Sequence, residues 1–396
     1  MAERPLRVFI SAGEHSGDSH GAALAKRLRE REPDIVLQGM GGPRMAEAGV
    51  ELPFDFVEHA AMGLVNVLKK LPFFTATLKE TAARLVADPP DVLVPIDYPG
   101  FNLRLSGKAR KAGIQVAYYV SPQVWAWRPG RIHRIARLVD HMMVLFPFEQ
   151  ALYEGVGVPC TFVGHPLFDE LRLRKRSPAF RDGLGLTPET PLLGLLPGSR
   201  RQEVERNLPL ELRAAKLVYA QRPDVRFAIP VAQPSLHQLT LDLVAEHAPE
   251  LPLQVLEGYA SDIARVSRAA LCASGTATLE LLHYECPMVV IYQATRAQAV
   301  FVKRLLTTKW IGLVNVLAQR EICPEFADHK DRSAEIAASA LELLRPGKAR
   351  KECLTRMRNL KQEVDVKGAH PRAAETVLRL AREARARSEA ASRGVR

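Results

Sequence analysis

Short apolar runs rich in β-branched residues alternate along this chain with longer stretches whose apolar positions recur every three or four residues. Residues 6–11 read as a buried strand, and residues 17–31 carry Leu24 and Leu28 at helical spacing. Residues 35–39 form a second strand, followed by Gly41 and Gly42. Phe74, Leu78, Ala82 and Leu85 share one face of a helix. Residues 91–96, 115–120 and 141–145 read as further strands, with a helix over 103–112. This rhythm predicts a parallel sheet with helices on both faces. Residues 167–190 are polar and turn-rich, and they read as a linker. The rhythm then restarts, with strands at 191–196, 226–231, 253–256, 269–273 and 288–292. The expected fold class is α/β, with two Rossmann-like parallel-sheet domains facing across a cleft. The expected divisions are 1–166, a linker at 167–190, a second domain at 191–368, and a C-terminal helix with a basic tail at 369–396. In such sheets ligands sit beyond the carboxyl ends of the strands, so the strand-to-helix loops are where chemistry is sought.

Composition narrows the class. The 396 residues are 47% hydrophobic and 25% charged, which excludes a disordered or fibrous chain. A net charge of +11 favours an anionic partner: nucleic acid, a phosphorylated metabolite or an anionic membrane. Part of the surplus is local, since residues 372–396 hold seven arginines and three glutamates. That stretch reads either as a basic surface for the anionic partner or as a solvated helix that frays. The five cysteines are widely spaced and show no zinc-ligand pattern, as in a reducing compartment. No apolar run approaches the roughly 18–20 residues that span a bilayer, and the N-terminus enters a strand without a signal-peptide pattern. The expected location is the cytoplasm.

Five loops carry candidate chemistry. Residues 11–18 place Glu14, Ser16 and Asp18 around glycines at a helix start. They read either as a capped turn or as a site for sugar hydroxyls. Asp97 follows an apolar strand and precedes Tyr98-Pro99-Gly100-Phe101-Asn102. A carboxylate there can take a proton from an attacking hydroxyl, or can cap a helix. Pro95, inside that strand, is awkward for a central position. Residues 118–128 collect Tyr118, Tyr119, Gln123, Trp125, Trp127 and Arg128, suited to stacking sugars or bases or to core packing. Gly198, Ser199 and Arg200 follow the second domain's first strand, with Ser199 and Gln202 spaced as a capping box and Arg200 placed to meet a pyrophosphate. Ser274, Gly275 and Thr276 lead into a helix bearing Glu280, an arrangement suited to a diphosphate and a ribose. No Asp-x-Asp pair or His/carboxylate cluster suggests a metal, and none is expected; nor is a cofactor.

Residues 62–74 form a further feature. Met62, Leu64, Val67, Leu68, Leu71, Phe73 and Phe74 are interrupted by Lys69 and Lys70. The stretch reads as a core helix or as an interfacial patch with lysines toward anionic lipid.

The segments AGEHSGD (12–18), GMGGPRM (39–45), PIDYPGFN (95–102), YYVSPQVWAWRPGR (118–131), FPFEQALYEGVGVPCTFVGHPL (146–167), LPGSR (196–200), SGTATLELL (274–282) and NVLAQREICPE (315–325) run in order across nearly the whole chain. In these the chain resembles the lipid-A-disaccharide synthase family, glycosyltransferases of the GT-B architecture. The resemblance implies transfer of 2,3-diacylglucosamine from UDP to the 6-hydroxyl of 2,3-diacylglucosamine 1-phosphate (lipid X), with inversion at the anomeric carbon. It implies Asp97 as the base, with Glu14, Ser16, Asp18, Asn102, Gln123, Trp125, Trp127 and Arg128 toward the acceptor or the cleft wall. Gly164, His165, Gly198, Ser199, Arg200, Ser274, Gly275, Thr276, Glu280 and Asn315 would serve the UDP side. His15 and His165 compete with Asp97 for the role of base. The implied partners are UDP-2,3-diacylglucosamine, lipid X and the inner-leaflet surface, without nucleic acid, in a monomer or a C-terminally swapped homodimer. The chain departs from the family's usual residues at Pro95, Gln293 and Val314 and over residues 326–328. The nearest alternatives are other UDP-N-acetylglucosamine transferases and the non-hydrolysing 2-epimerase, which share the architecture. A nucleic-acid binder, suggested by the charge, is more remote.

Overall fold

The computed structural model describes residues 4–53, 67–126, 129–175, 177, 179–295 and 308–394, with backbone alone for 67–71 and 392–394. The chain divides into two compact units, Met1–Pro166 with Val366–Arg396, and Leu167–Asp365.

The first unit contains β1 (Arg7–Ala12), β2 (Val36–Met40), β3 (Val92–Ile96), β4 (Gln115–Tyr119), β5 (His141–Val144) and β6 (Cys160–Phe162). They form one parallel sheet in the order β2-β1-β3-β4-β5-β6. β3 and β5 are buried along their whole length, which is why they read as unbroken apolar runs. β6 was not predicted: it is a three-residue edge strand, half-buried throughout, and so has no apolar run to announce it. Pro95 now has an account. The register of β3 with β1 runs through it, opposite Ser11, whereas the register with β4 lapses at Val94 and Pro95 and resumes at Ile96 opposite Tyr119. The missing N–H is thus accommodated on the β4 side.

The second unit contains β7 (Leu192–Leu196), β8 (Arg226–Val231), β9 (Leu253–Glu257), β10 (Ala269–Ala273), β11 (Met288–Gln293) and β12 (Glu325–Asp328), in the order β12-β11-β10-β7-β8-β9. All the pairs are parallel. β12 is another short, partly exposed edge strand that the sequence pattern missed. Strand order reverses between β1 and β3 in the first unit and between β7 and β10 in the second. These are the switch points where open α/β sheets leave room for ligands. The loops holding Glu14 and Asp97 flank the first switch point, and those holding Arg200 and Ser274 flank the second.

Two expectations change. Residues 167–190 are not a linker: they include the helices Pro166–Leu173 and Phe180–Gly183, and Phe168, Leu171, Phe180 and Leu186 are buried. Those few apolar anchors are diluted by arginines and turn residues, so the segment reads as polar. The C-terminal residues form one helix, Ala369–Gly394, whose first half is docked rather than solvated and whose end is largely exposed. Ala373, Ala374, Val377, Leu378 and Ala381 are buried in it, and it packs beside the helix His15–Arg31. Its arginines meet acidic or amide partners of the first unit. Arg382 pairs with Glu32 at 2.7 Å, Arg387 donates to Gln115, and Arg385 reaches Asp91 at 3.4 Å. The buried Asp91 carboxylate also accepts from Arg4 at 2.6 Å and from the backbone N–H of Arg7 at 2.8 Å. Among the described residues no helix is long and apolar enough to cross a membrane.

Candidate active site

β3 ends in an unusual turn. Asp97 and Tyr98 both have left-handed backbone, at φ 44° and 48°. Two consecutive non-glycine residues in that region are costly and persist only when their surroundings hold them there. The holding groups are buried. Asn102, in the first turn of the following helix Pro99–Lys111, donates from Nδ2 to the carbonyls of Asp97 (2.8 Å), Ile96 (3.1 Å) and Ser11 (3.2 Å). Ser11 fixes the amide's orientation by donating to Asn102 Oδ1 at 2.7 Å. The Tyr118 hydroxyl donates to the same Asp97 carbonyl at 2.6 Å. The neighbouring loop also closes on this turn: a Cβ on Gly13 would lie 2.2 Å from the Tyr98 ring. Asn102, expected on the acceptor side, is therefore a positioning residue with no exposed surface.

The turn presents the Asp97 side chain in a half-buried setting. Burial, and then the nearby Glu14 charge, push its carboxyl up from 3.8 to about 6. A carboxylate with that affinity for protons is a competent general base near neutrality. The competing histidines differ from it. His15 is exposed on the first loop. His165 packs against Phe146 with ring centroids 5.5 Å apart, and burial pulls its imidazole down to about 3. It is neutral at physiological pH, which also removes it as a cationic phosphate ligand. Gly164 lies beside the Arg372 guanidinium, where the chain returns to the first unit.

The other first-unit candidates separate. Glu14 and Ser16 are exposed. Asp18 is buried and faces inward: its carboxylate accepts the N–H groups of Gly42 (2.9 Å), Met45 (3.0 Å) and Arg44 (3.1 Å), capping the helix Pro43–Glu47. A ligand role is not left to it. Gln123 is exposed, and Trp125 donates to Glu149 at 3.1 Å. Glu149, which sequence reasoning missed, organises this loop. It also accepts from Ser121 at 2.6 Å and from the Phe146 N–H at 3.1 Å. Its signal was the Pro147-Phe148-Glu149 start of a helix, a proline at the first position and an acid at the third. Trp127 and Arg128 lie outside the described residues, as do Met62 and Leu64 and the side chains of Val67, Leu68 and Leu71. Phe73 and Phe74 are half-buried against the first unit's core, and the Phe74 ring lies 6.4 Å from that of Tyr98.

In the second unit, Gly198 (φ 125°) turns the chain out of β7, and a Cβ there would lie 2.6 Å from the Glu203 side chain. Glu203, not Gln202, closes the helix start. It accepts the N–H groups of Ser199 (2.9 Å) and Arg200 (3.2 Å) and pairs with the Arg200 guanidinium at 2.9 Å. Arg200 keeps 81% of its side chain exposed despite that pair. Asn207, on the same helix, ties this loop to β11 by donating to the Pro197 carbonyl and accepting from the Gln293 N–H. Across the switch point, Ser274 donates to the Ile311 carbonyl at 2.9 Å, and Gly275 and Thr276 lead into the helix Ala277–His283. Glu280 is buried, with one oxygen held by Ser261 and by Arg174 at 3.1 Å. Asn315, on the helix Leu313–Ala318, is fully buried; its amide donates to the Cys323 carbonyl and to Glu325 at the start of β12, and accepts from the N–H groups of Ile322 and Cys323. It too is a positioning residue rather than a nucleotide contact. No group of three or more metal-ligating side chains occurs among the described residues.

Comparison with known proteins gives this arrangement a lineage. Solved structures of similar fold include the calicheamicin glycosyltransferase CalG4 (TM-score 0.61, 14% identity, 96% of this chain and 98% of that one). The UDP-N-acetylglucosamine 2-epimerase of Neisseria meningitidis is another (TM-score 0.55, 11% identity, 95% and 98%). At such identities the likeness shows the fold alone, the two-domain α/β fold of GT-B type. Sequence relatives are nearer. The lipid-A-disaccharide synthase of Trichlorobacter lovleyi is 40% identical over 95% of this chain and 97% of its own length. That of Myxococcus xanthus is 39% identical over 95% and 98%. Residues 8–377 match the family described as lipid-A-disaccharide synthetase. This chain, a glycosyltransferase, belongs to the lipid-A-disaccharide synthase family.

Proposed function

We propose that the chain joins UDP-2,3-diacylglucosamine to 2,3-diacylglucosamine 1-phosphate, giving the β-1,6-linked disaccharide 1-phosphate and UDP. The acceptor's 6-hydroxyl oxygen attacks the anomeric carbon. The bond from that carbon to the diphosphate breaks, and UDP leaves with the electron pair. The hydroxyl proton passes to Asp97. The observation that carries this reading is the Asp97 turn, in which buried hydrogen bonds hold a strained backbone and present a carboxyl raised to about 6 beside Glu14 at the β1/β3 switch point. The loops flanking the β7/β10 switch point take the UDP: Arg200 and the Gly198 and Ser199 backbone meet the diphosphate, with Ser274, Gly275 and Thr276 opposite. Glu280 offers its remaining carboxylate oxygen to ribose hydroxyls.

The acylated substrates imply work at the inner-leaflet surface, from the cytoplasmic side. The candidate lipid contact is the apolar stretch 62–74, whose Phe74 ring, on the helix Val67–Ala87, lies 6.4 Å from that of Tyr98. Incubation with UDP-2,3-diacylglucosamine and lipid X, read by mass spectrometry, tests the reaction. Transfer of only unacylated sugar would point to another UDP-N-acetylglucosamine enzyme. Salt-sensitive co-sedimentation with anionic liposomes, lost in a Leu64→Ser/Leu68→Ser variant, tests the membrane contact.

A further inference from the structure

A pocket of about 470 Å³ opens on the second unit at the amino-terminal edge of its sheet, around Leu192 and Arg268, the residues at or before the starts of β7 and β10. β7 spans five residues, so at about 3.3 Å per residue the pocket lies on the order of 15 Å from the Gly198 loop. Four arginines line it: Arg181, Arg222, Arg268 and Arg350. Arg222 is neutralised by a bidentate pair with Asp224, at 2.8 and 2.6 Å. The other three have no carboxylate partner among the described residues. They are held instead by backbone carbonyls. Arg181 donates to Thr190 (2.8 Å) and Val266 (3.1 Å), Arg350 to Leu343 (2.6 Å) and to Arg268, and Arg268 to Leu344 (3.3 Å). Those bonds fix the guanidiniums without balancing their charge.

Two further observations suit the pocket to an anion. Burial, and then the neighbouring Arg268 charge, pull Arg350 below the ordinary arginine range, so the two cations repel each other in a partly dry setting. The Ser267 hydroxyl, also on the lining, is buried and has no hydrogen-bond partner among the described residues. Glu189 is the only carboxylate on the lining, and it is exposed. Like-charged groups held together by their backbone, with a spare hydroxyl donor among them, form a receptor for a polyanion.

We propose that this pocket is a second anion site, separate from the nucleotide loops, that binds a diphosphate or phosphate-ester group through Arg181, Arg268, Arg350 and Ser267. Three unbalanced guanidiniums match the charge of inorganic diphosphate near neutrality. A phosphorylated lipid headgroup carries the same chemistry. Bound there, the anion ties the Phe180–Gly183 helix, the start of β10 and the Lys348–Val364 helix together and stabilises the second unit.

The test is the melting temperature of the full chain titrated with sodium diphosphate, against sodium chloride at equal ionic strength. At roughly a hundredfold excess over its Kd, diphosphate raises the melting temperature by roughly 5–10 °C, and a rise of that size persists in Arg200→Ala, where the nucleotide loops no longer contribute. Arg268→Gln and Arg350→Gln weaken the diphosphate response at least tenfold. Arg268→Glu melts higher than the wild type without any anion, because it relieves the repulsion on Arg350, and it no longer responds to diphosphate. A purely structural role for Arg268 would lower the melting temperature instead. Flotation with phosphatidylglycerol vesicles, but no response to diphosphate, assigns the site to a headgroup if Arg268→Glu abolishes it. Loss of the diphosphate response in Arg200→Ala with retention in Arg268→Glu places the anion at the nucleotide loops and overturns the proposal. So does the absence of both diphosphate and vesicle binding.

Discussion

The strand-end loop of the first unit and that of the second solve opposite problems with the same topology. After β3 the chain is locked: two left-handed residues, a buried asparagine and a buried tyrosine all converge on the backbone of Asp97. After β7 the chain is capped by one carboxylate, Glu203, and its arginine stands largely in solvent. The locked turn holds a single carboxyl in a partly dry setting, which suits it to the base role proposed for it. The open loop holds its arginine by one exposed ion pair only, which suits the diphosphate contact proposed for it. Rigid presentation suits a group that must take a proton at a fixed point, and mobility suits one that must capture and discharge a diphosphate.

That contrast can be broken at several points. Asp97→Asn keeps the shape, since asparagine tolerates left-handed backbone, and removes the base. Turnover falls by roughly 10²–10⁴-fold while UDP affinity holds, as single-turnover assays and UDP titration would register. The same change should stabilise the fold. A carboxyl raised from 3.8 to about 6 contributes its full stability only below the unfolded value and loses it as pH rises through about 6. At neutral pH the burden is on the order of 3 kcal/mol, so denaturant unfolding of Asp97→Asn shows a gain there that disappears below about pH 4. Arg200→Ala should do the reverse. It weakens UDP roughly 10- to 100-fold by calorimetry and leaves the melting temperature unchanged. Deletion from Arg385 onward removes one of the partners of the buried Asp91 carboxylate and costs roughly 1.5–3 kcal/mol by chemical denaturation. An unaltered midpoint would return the helix end to the role of a loose tail. Glu203→Gln, at an exposed cap, lowers stability by less than about 1 kcal/mol.

The sheets were largely legible because parallel strands buried on both faces leave apolar runs such as residues 92–96 and 192–196. The edge strands at 160–162 and 325–328 were not, since a short, half-exposed strand has no such run. The candidate residues divided in the same way. Asp97, Arg200 and the two glycine-bearing loops of the second unit lie at the switch points, as their places after apolar strands implied. Asp18, Asn102 and Asn315 stand in the first turns of helices, yet their side chains satisfy backbone N–H and carbonyl groups rather than reach a ligand. A short polar residue at a helix start bonds whichever partner lies within about 3 Å, and sequence spacing does not distinguish the backbone of a distant segment from a substrate. Glu203 was misread as Gln202 for a related reason: the cap depends on which residue starts the helix, and a shift of one position changes the partner.

The account rests on Asp97 acting as a base whose affinity for the proton is raised by burial and by Glu14. The most direct measurement is the single-turnover rate as a function of pH in the wild type and in Glu14→Gln. The wild type should show an acid limb with its midpoint near 6, and removal of the Glu14 charge should move that midpoint downward. A limb at the same pH in both proteins, or a rate that does not fall on the acid side, would contradict it.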